Sequence, residues 1–191
     1  REIQKSKKLD YYLVVTGSHL LKEYGLTINE IKKDGFKISK KFSMYQNIKD
    51  DSGAKMTLAL SKAIFHLTKI VQEIKPDIIL VVFWRYILPE SLFLIAPKGA
   101  INFHMAYLPF NRGKNPNVWP IIEGTPAGVC MHYIDSGIDT GRIIARKEVP
   151  VEIIDTGKTV YNKQLQAFEI LFKETWSKLK KEKNISIAQE N

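Results

Sequence analysis

The stretch KPDIILVVFWRYILPESLFLIAPKGAINFH, residues 75–104, decides the fold. Lys75-Pro76-Asp77 stops whatever precedes it. Residues 78–83 then run continuously apolar, as a parallel strand covered on both faces must. Pro89 can open a short helix near its first turn. Gly99 precedes a second short strand, residues 100–104. Upstream, Leu60, Ile64, Leu67, Val71 and Ile74 form one apolar stripe on a helix over 56–74. Residues 11–16 read as a buried strand stopped by Gly17, and 36–44 give a weaker strand signal. Downstream, Asn115 and Pro116 look like the cap and first residue of a helix reaching Glu123 and stopped by Gly124. Residues 129–134 and 143–149 are strand-like. Leu165, Phe168, Phe172, Trp176 and Leu179 mark a long amphipathic helix over 159–181. Strands alternating with helices predict an α/β fold: one three-layer domain over 1–181, mostly parallel sheet flanked by helices, then a polar tail at 182–191.

Composition narrows the classes. The 191 residues are 45% apolar and 26% charged, an ordinary globular balance. Cys130 is the single cysteine, so no internal disulfide and no cysteine metal cluster can form. A reduced, cytoplasmic setting is the simplest expectation. No run approaches the roughly 20 apolar residues that cross a bilayer. The start, Arg-Glu-Ile-Gln-Lys, lacks both Met and an apolar signal region. The 29 Lys and Arg against 20 Asp and Glu leave a formal charge of +9. That excess suits an anionic partner, and it equally suits solvated helix faces.

Three segments could carry chemistry. In residues 100–104, side chains two apart share a strand face. Ile101 and Phe103 would enter one apolar layer, while Asn102 and His104 project together from the other. An Asn and a His side by side can donate hydrogen bonds to one developing negative charge. Asp139, in Ile138-Asp139-Thr140-Gly141, could orient a histidine and accept a proton through water. Taken alone, Asp139, like Asp135, reads as a turn former. Residues 109–115 form a basic loop entering a helix, a natural place for phosphate or carboxylate. His66 reads as a surface or boundary residue, His132 as structural, His19 as an unsupported contact, and no His, Asp or Glu set has metal-ligand spacing.

These residues carry a resemblance. Residues 75–176 closely resemble the folate-dependent formyltransferases, with GAINFHMAYLPFNRGKNPNVWPIIEGTPAGVCMHYIDSGIDTG supplying the Asn-x-His strand, the Leu-Pro, the Arg-Gly loop and the Asp-Thr-Gly. The intervening stretch, YLPFNRGKNPNVWPIIEGTPAGV, is most similar to the sugar N-formyltransferases acting on nucleotide-linked amino sugars. The resemblance implies a Rossmann-like formyltransferase fold and 10-formyltetrahydrofolate as donor. It implies Asn102 and protonated His104 as oxyanion stabilisers and Asp139 as the group that orients His104 and takes up the amine proton. Phe83, Arg85, Tyr86, Ile87 and Leu88 would form the folate wall, opposite Asp135, Ile138 and Thr140. Tyr107, Asn111, Arg112 and Lys114 would face the acceptor. The implied partners are folate and a nucleotide sugar, with no membrane and no nucleic acid, and a homodimer is the assembly to test for. Methionyl-tRNA or a ribonucleotide amine is the alternative acceptor. A non-catalytic remnant that binds folate or sugar nucleotide is the third reading.

Two residues depart from the pattern: Ala106 stands where the family commonly has Ser, and Arg142 where it usually has Pro or Asp. Residues 11–82 resemble instead the amino-terminal domain of hydrolysing UDP-N-acetylglucosamine 2-epimerases, on LVVTGSHLLKEYGLTINEIKKDGFKISKKFSM and MTLALSKAIFHLTKIVQEIKPDIILVV. Phe83-Trp84-Arg85 replaces the Gly-Asp-Arg that continues those enzymes. The first half is therefore expected to be scaffold, joined to the catalytic half near 78–83.

Overall fold

The computed structural model describes residues 3–45, 53–84, 86–179 and 186–189. The chain forms two compact units, Arg1–Ile74 and Lys75–Asn191.

In the first unit β1 (Val14–Val15) pairs in parallel with β2 (Lys40–Lys41). These strands are shorter than the apolar runs predict, because side chains take over at their ends. The Leu13 N–H donates to Ser39 Oγ and the Lys37 N–H to Tyr11 Oη, bonds that stand where ladder bonds would continue. A short helix α1 (Ile28–Lys33) follows two single 3-10 turns. The long helix α2 (Gly53–Ile74) buries Ala59, Ala63 and Ile70, with the predicted stripe half-buried beside them. Small alanines permit the closest approach, so the deepest line runs one residue off the large apolar positions.

The second unit holds a sheet in the order β3 (Ile79–Val82), β4 (Ala100–His104), β5 (Gly128–Tyr133), β6 (Ile143–Glu148). The β3 and β4 strands pair in parallel, joined through α3 (Glu90–Phe93), as residues 75–104 predict. Pro89 is the cap of α3 rather than its first residue. The β4·β5 and β5·β6 pairings are antiparallel. Only a loop links β5 to β6, and a parallel pair would need a crossover. The fold is thus α/β, with sheets that contain parallel pairs and helices packed on them. Helix α4 (Trp119–Glu123) begins later than Asn115, whose φ of +55° keeps it outside the helical region. Gly124 closes it with φ +65°.

Helix α5 (Gly157–Leu179) covers one sheet face. Ile101, Met131, Ile144, Phe168 and Leu171 make the core between them. Gln164, wholly buried, fastens the helix down: its Nε2 donates to the carbonyls of Met105 (2.8 Å) and Gly128 (2.9 Å). The opposite face holds a smaller apolar cluster of Ala106, Leu108, Cys130 and Ile143. The stretch read as a polar tail also takes part, since Ile187 pairs antiparallel with Ile143. Among the described residues no helix is long and apolar enough to cross a membrane.

Candidate active site

Alternation in β4 sends Ile101 and Phe103 to the α5 side and Asn102 and His104 to the other. The antiparallel register sets His132 of β5 directly opposite Asn102. The β5·β6 register shifts between Met131 and His132, leaving Ile144 of β6 as the extra residue beside His132.

Asp139 arrives from the loop between β5 and β6. Its φ is +53°, an uncommon conformation for a residue with a Cβ. Gly141 seats that loop against β5: a Cβ at 141 would lie 1.8 Å from the Tyr133 carbonyl oxygen, so only glycine fits. Four groups then converge on the carboxylate. Asn102 Nδ2 donates to Oδ1 at 3.2 Å, and His132 Nε2 lies 3.4 Å from the same oxygen. The Gly113 N–H donates to Oδ2 at 3.0 Å, and His104 Nε2 lies 3.5 Å from it.

Partners assign the protons. His104 Nε2 faces only acceptors, Asp139 and the Asn111 carbonyl at 3.3 Å, so it carries hydrogen in the neutral ring. His132 Nδ1 faces the Tyr133 carbonyl at 2.8 Å and must donate there. In a neutral His132 ring Nε2 then accepts from Asn102 Nδ2, 3.2 Å away. Both N–H groups of the Asn102 amide are therefore held inside the cluster.

Burial pushes the His104 imidazole below its ordinary range, against the nearby Asp139 charge, which raises it. The resemblance implies a protonated His104; in the resting site burial favours the neutral ring, with Asp139 opposing it. Burial pushes the Asp139 carboxyl up, but the Gly113 N–H and, once the rings are protonated, the hydrogen bond from His132 and the charge of His104 bring it below its usual value. The result is an ionised carboxylate between two imidazoles and an amide. It can accept a proton, while Asn102 and His104 present donors to a nearby negative charge.

The expected acceptor residues divide. Asn111, at φ +59°, gives its carbonyl to His104 and its side chain to Thr125 and Pro126. Arg112 donates to Gln189 Oε1 through Nε (3.1 Å) and Nη2 (2.8 Å). Lys114 is exposed, and its carbonyl accepts from the Trp119 indole. Tyr107 lies under the Arg146 guanidinium, 4.5 Å from the ring centroid.

The expected folate residues are mostly open. Phe83 turns the chain after β3 with φ +54°, and Phe83 and Ile87 are exposed while Leu88 is buried in the core. Tyr86 meets Trp84 edge to face. Arg85 lies outside the described residues. Ile138 is exposed, and Asp135 Oδ1 accepts from Gly137 N–H and Thr140 Oγ, the turn-forming arrangement. Ala106 is fully buried in an apolar cluster, so this departure leaves no donor missing from the cleft.

His132 is the site residue the sequence reading treated as structural. The signal was present, since a short β5–β6 connection makes these strands antiparallel neighbours. What it lacked was the β4·β5 register. Gln189, in the supposed tail, had no sequence signal at all.

Comparison with known proteins fits this geometry. The formyl transferase family profile matches residues 8–175. That match takes in residues 11–82, so the epimerase resemblance is not needed to account for them. The methionyl-tRNA formyltransferase of Caldanaerobacter subterraneus subsp. tengcongensis is 32% identical over 122 residues, 63% of this chain and 40% of that protein. The chain spans less than half the length of the curated relatives it matches. Among solved structures, the formyltransferase PseJ of Anoxybacillus kamchatkensis, in complex with UDP-4,6-dideoxy-4-formamido-L-AltNAc and tetrahydrofolate, is 29% identical with a TM-score of 0.59, covering 95% of this chain and 82% of that one. The phosphoribosylglycinamide formyltransferase of Streptococcus pneumoniae shares the fold at 20% identity and TM-score 0.62, covering 88% of this chain and 97% of that one.

Proposed function

The chain belongs to the formyl transferase family over residues 8–175, and from that premise we propose that it moves a formyl group from 10-formyltetrahydrofolate to the amine of a nucleotide-linked amino sugar. The observation that carries the proposal is the meeting of Asn102, His104 and Asp139 around one half-buried carboxylate. The sugar-type text between Tyr107 and Asp139 supports the acceptor class. So does the likeness to PseJ, which was solved with a nucleotide-linked formamido sugar and tetrahydrofolate.

The donor supplies an electrophilic formyl carbon, whose oxygen gains negative charge as an unprotonated amine attacks. Asn102 turns one N–H from its partners to that oxygen, and His104 offers Nε2–H. Asp139 accepts the amine proton through a water. The departing folate nitrogen takes a proton back, so the overall transfer is proton-neutral. The exposed rings and side chains of Phe83 and Ile87 suit a flat heterocycle, with residues 135–140 as the facing loop. Arg112 and Lys114 supply positive charge for the acceptor's phosphates. Residues 11–82 serve as scaffold.

The test is turnover with 10-formyltetrahydrofolate and a panel of dTDP-, GDP- and UDP-linked amino sugars. Formylation of one panel member, lost in His104→Ala, is the expected result. No formylated sugar, and no effect of His104→Ala, ends the proposal. The curated methionyl-tRNA formyltransferase relatives favour a second acceptor, an aminoacyl-tRNA. Salt-dependent tRNA retention together with formylation of the charged tRNA would select it instead.

A further inference from the structure

Four residues remote in sequence lie along the loop that carries Asp139. Ile187 and Ile143 exchange both backbone hydrogen bonds at 2.8 Å. The Arg142 guanidinium donates to the Ser186 carbonyl at 2.7 Å and to its Oγ at 3.1 Å. This gives a use to Arg142, one of the two departures from the family pattern. Beyond that short ladder stands Gln189. Its Nε2 donates to the carbonyls of Asp139 (2.9 Å) and Gly141 (2.7 Å). Its Oε1 accepts both bonds from Arg112.

One primary amide therefore uses its two N–H groups on one strip of chain and its oxygen on another. The first strip is the backbone around Asp139. The second is the loop at 111–113, whose Gly113 N–H holds Asp139 Oδ2. Asp139 has a positive φ, which costs a non-glycine residue on the order of 1–3 kcal/mol and persists only when its surroundings enforce it. Bonds to the carbonyls of residues 139 and 141 hold the chain immediately after that strained torsion. The cleft side of the carboxylate is fixed by Asn102, His104, His132 and Gly113. Its backbone side is fixed by Gln189.

We infer that Gln189 is a positioning residue for Asp139, acting through the turn rather than on any reacting atom. The inference rests on the reading of Asp139 as proton acceptor only for its kinetic consequence. Its structural consequence stands apart from any acceptor. Asp139 raises the affinity of His104 for a proton, so a carboxylate that drifts from its place lowers the pH at which His104 titrates. The groups facing His104 are Asp139, His132 and the Asn111 carbonyl. Of these, Gln189 bonds Asp139, at its backbone carbonyl rather than at its carboxylate.

The test uses Gln189→Ala and the near-isosteric, neutral Gln189→Met. The chain has four histidines, so ring-carbon NMR titration can follow each one. His19, whose ring bonds Thr27, and His66, whose ring stacks on Phe42, are internal controls. In both variants the His104 titration is expected to fall by about half a pH unit, with His19 and His66 unmoved. Adding Gln189→Met to Asp139→Asn is expected to move His104 no further, because the charge that Gln189 positions is already gone. Formyl transfer by Gln189→Met is expected to lose about tenfold in kcat, with KM for 10-formyltetrahydrofolate within about twofold. An unmoved His104 in both variants, or an equal shift with and without Asp139, overturns the inference. The expected NMR shifts with no turnover of any amino sugar leave Gln189 as a positioning residue and count only against the proposed reaction.

Discussion

Asn102 and Asp139 stand 37 residues apart in sequence and one hydrogen bond apart in space, the amide nitrogen of the first donating to Oδ1 of the second at 3.2 Å. The same nitrogen serves His132 at 3.2 Å, so the amide is oriented before any substrate arrives. Truncating it removes an oxyanion donor. Asn102→Ala is expected to lower kcat by about 10²–10³-fold, the usual effect of losing one such donor. Asn102→Asp is expected to be worse, because a second carboxylate beside Asp139 makes the pair share a proton. Steady-state kinetics of both variants check this. Equal kcat in wild type and Asn102→Ala would remove Asn102 from the chemistry.

Asp139 has two separable duties, holding a charge and accepting a proton. Asp139→Asn keeps the shape and loses both. A general base commonly contributes about 10²–10⁴-fold, and kcat is expected to fall within that range. Because Asp139 raises the His104 pKa, its neutralisation also lowers the pH at which His104 titrates. NMR titration of His104 in Asp139→Asn reads this directly, and an upward movement would contradict the assigned contact.

The two lowered pKa values set one direction of pH dependence. His104 titrates below 6.5 in the fold, so the fold prefers its neutral form. This term costs stability progressively as pH falls from 6.5 toward the folded value. Asp139 titrates below 3.8, so its contribution is present above 3.8 and is lost as pH falls through the lower, folded value. Both push the same way, and acid is expected to destabilise the second unit. Urea melts between pH 7 and pH 3 test this. In His104→Gln the loss between pH 6.5 and pH 5 is expected to shrink, while the loss below pH 4 remains.

Much of this was legible in the sequence, for reasons that differ by residue. The strand over 100–104 appears at its predicted bounds because alternation and a leading Gly99 are local signals. Asn102 and His104 share a face for the same reason. Asp139 could be placed near them only by resemblance, since its approach depends on a doubled-back loop, the fit of Gly141 and a positive φ. The strands near 14 and 40 are shorter than their apolar runs predict because Tyr11 and Ser39 divert hydrogen bonds from the ladder. His132 needed a cross-strand register. Gln189 needed a tertiary contact that no local pattern encodes. Arg112 and Lys114 were named for the same loop, yet only Arg112 is tied back to the site.

The last expectation concerns what holds the site's floor. Gln164 is wholly buried on α5 and bonds the carbonyl that follows His104 and the one that opens β5. These bonds tie the end of β4, where His104 sits, to the covering helix. Gln164→Leu fills nearly the same space and leaves both carbonyls without a donor in the core. Each unsatisfied buried acceptor costs about 1–3 kcal/mol, so a loss of about 2–6 kcal/mol is expected. The buried Gln164 Oε1 has no partner among the described residues, and removing it returns part of that cost, which argues for the lower half of the range. Gln164→Glu is expected to be more destabilising than Gln164→Leu at pH 7. It loses both donors and places a carboxylate beside two carbonyl oxygens. The penalty should shrink as pH falls, because the introduced carboxyl regains one donor when it is protonated. Urea melts of both variants at pH 7 and pH 5 decide the matter: a smaller loss for Gln164→Glu than for Gln164→Leu at pH 7 would show that the two carbonyls do not depend on this amide.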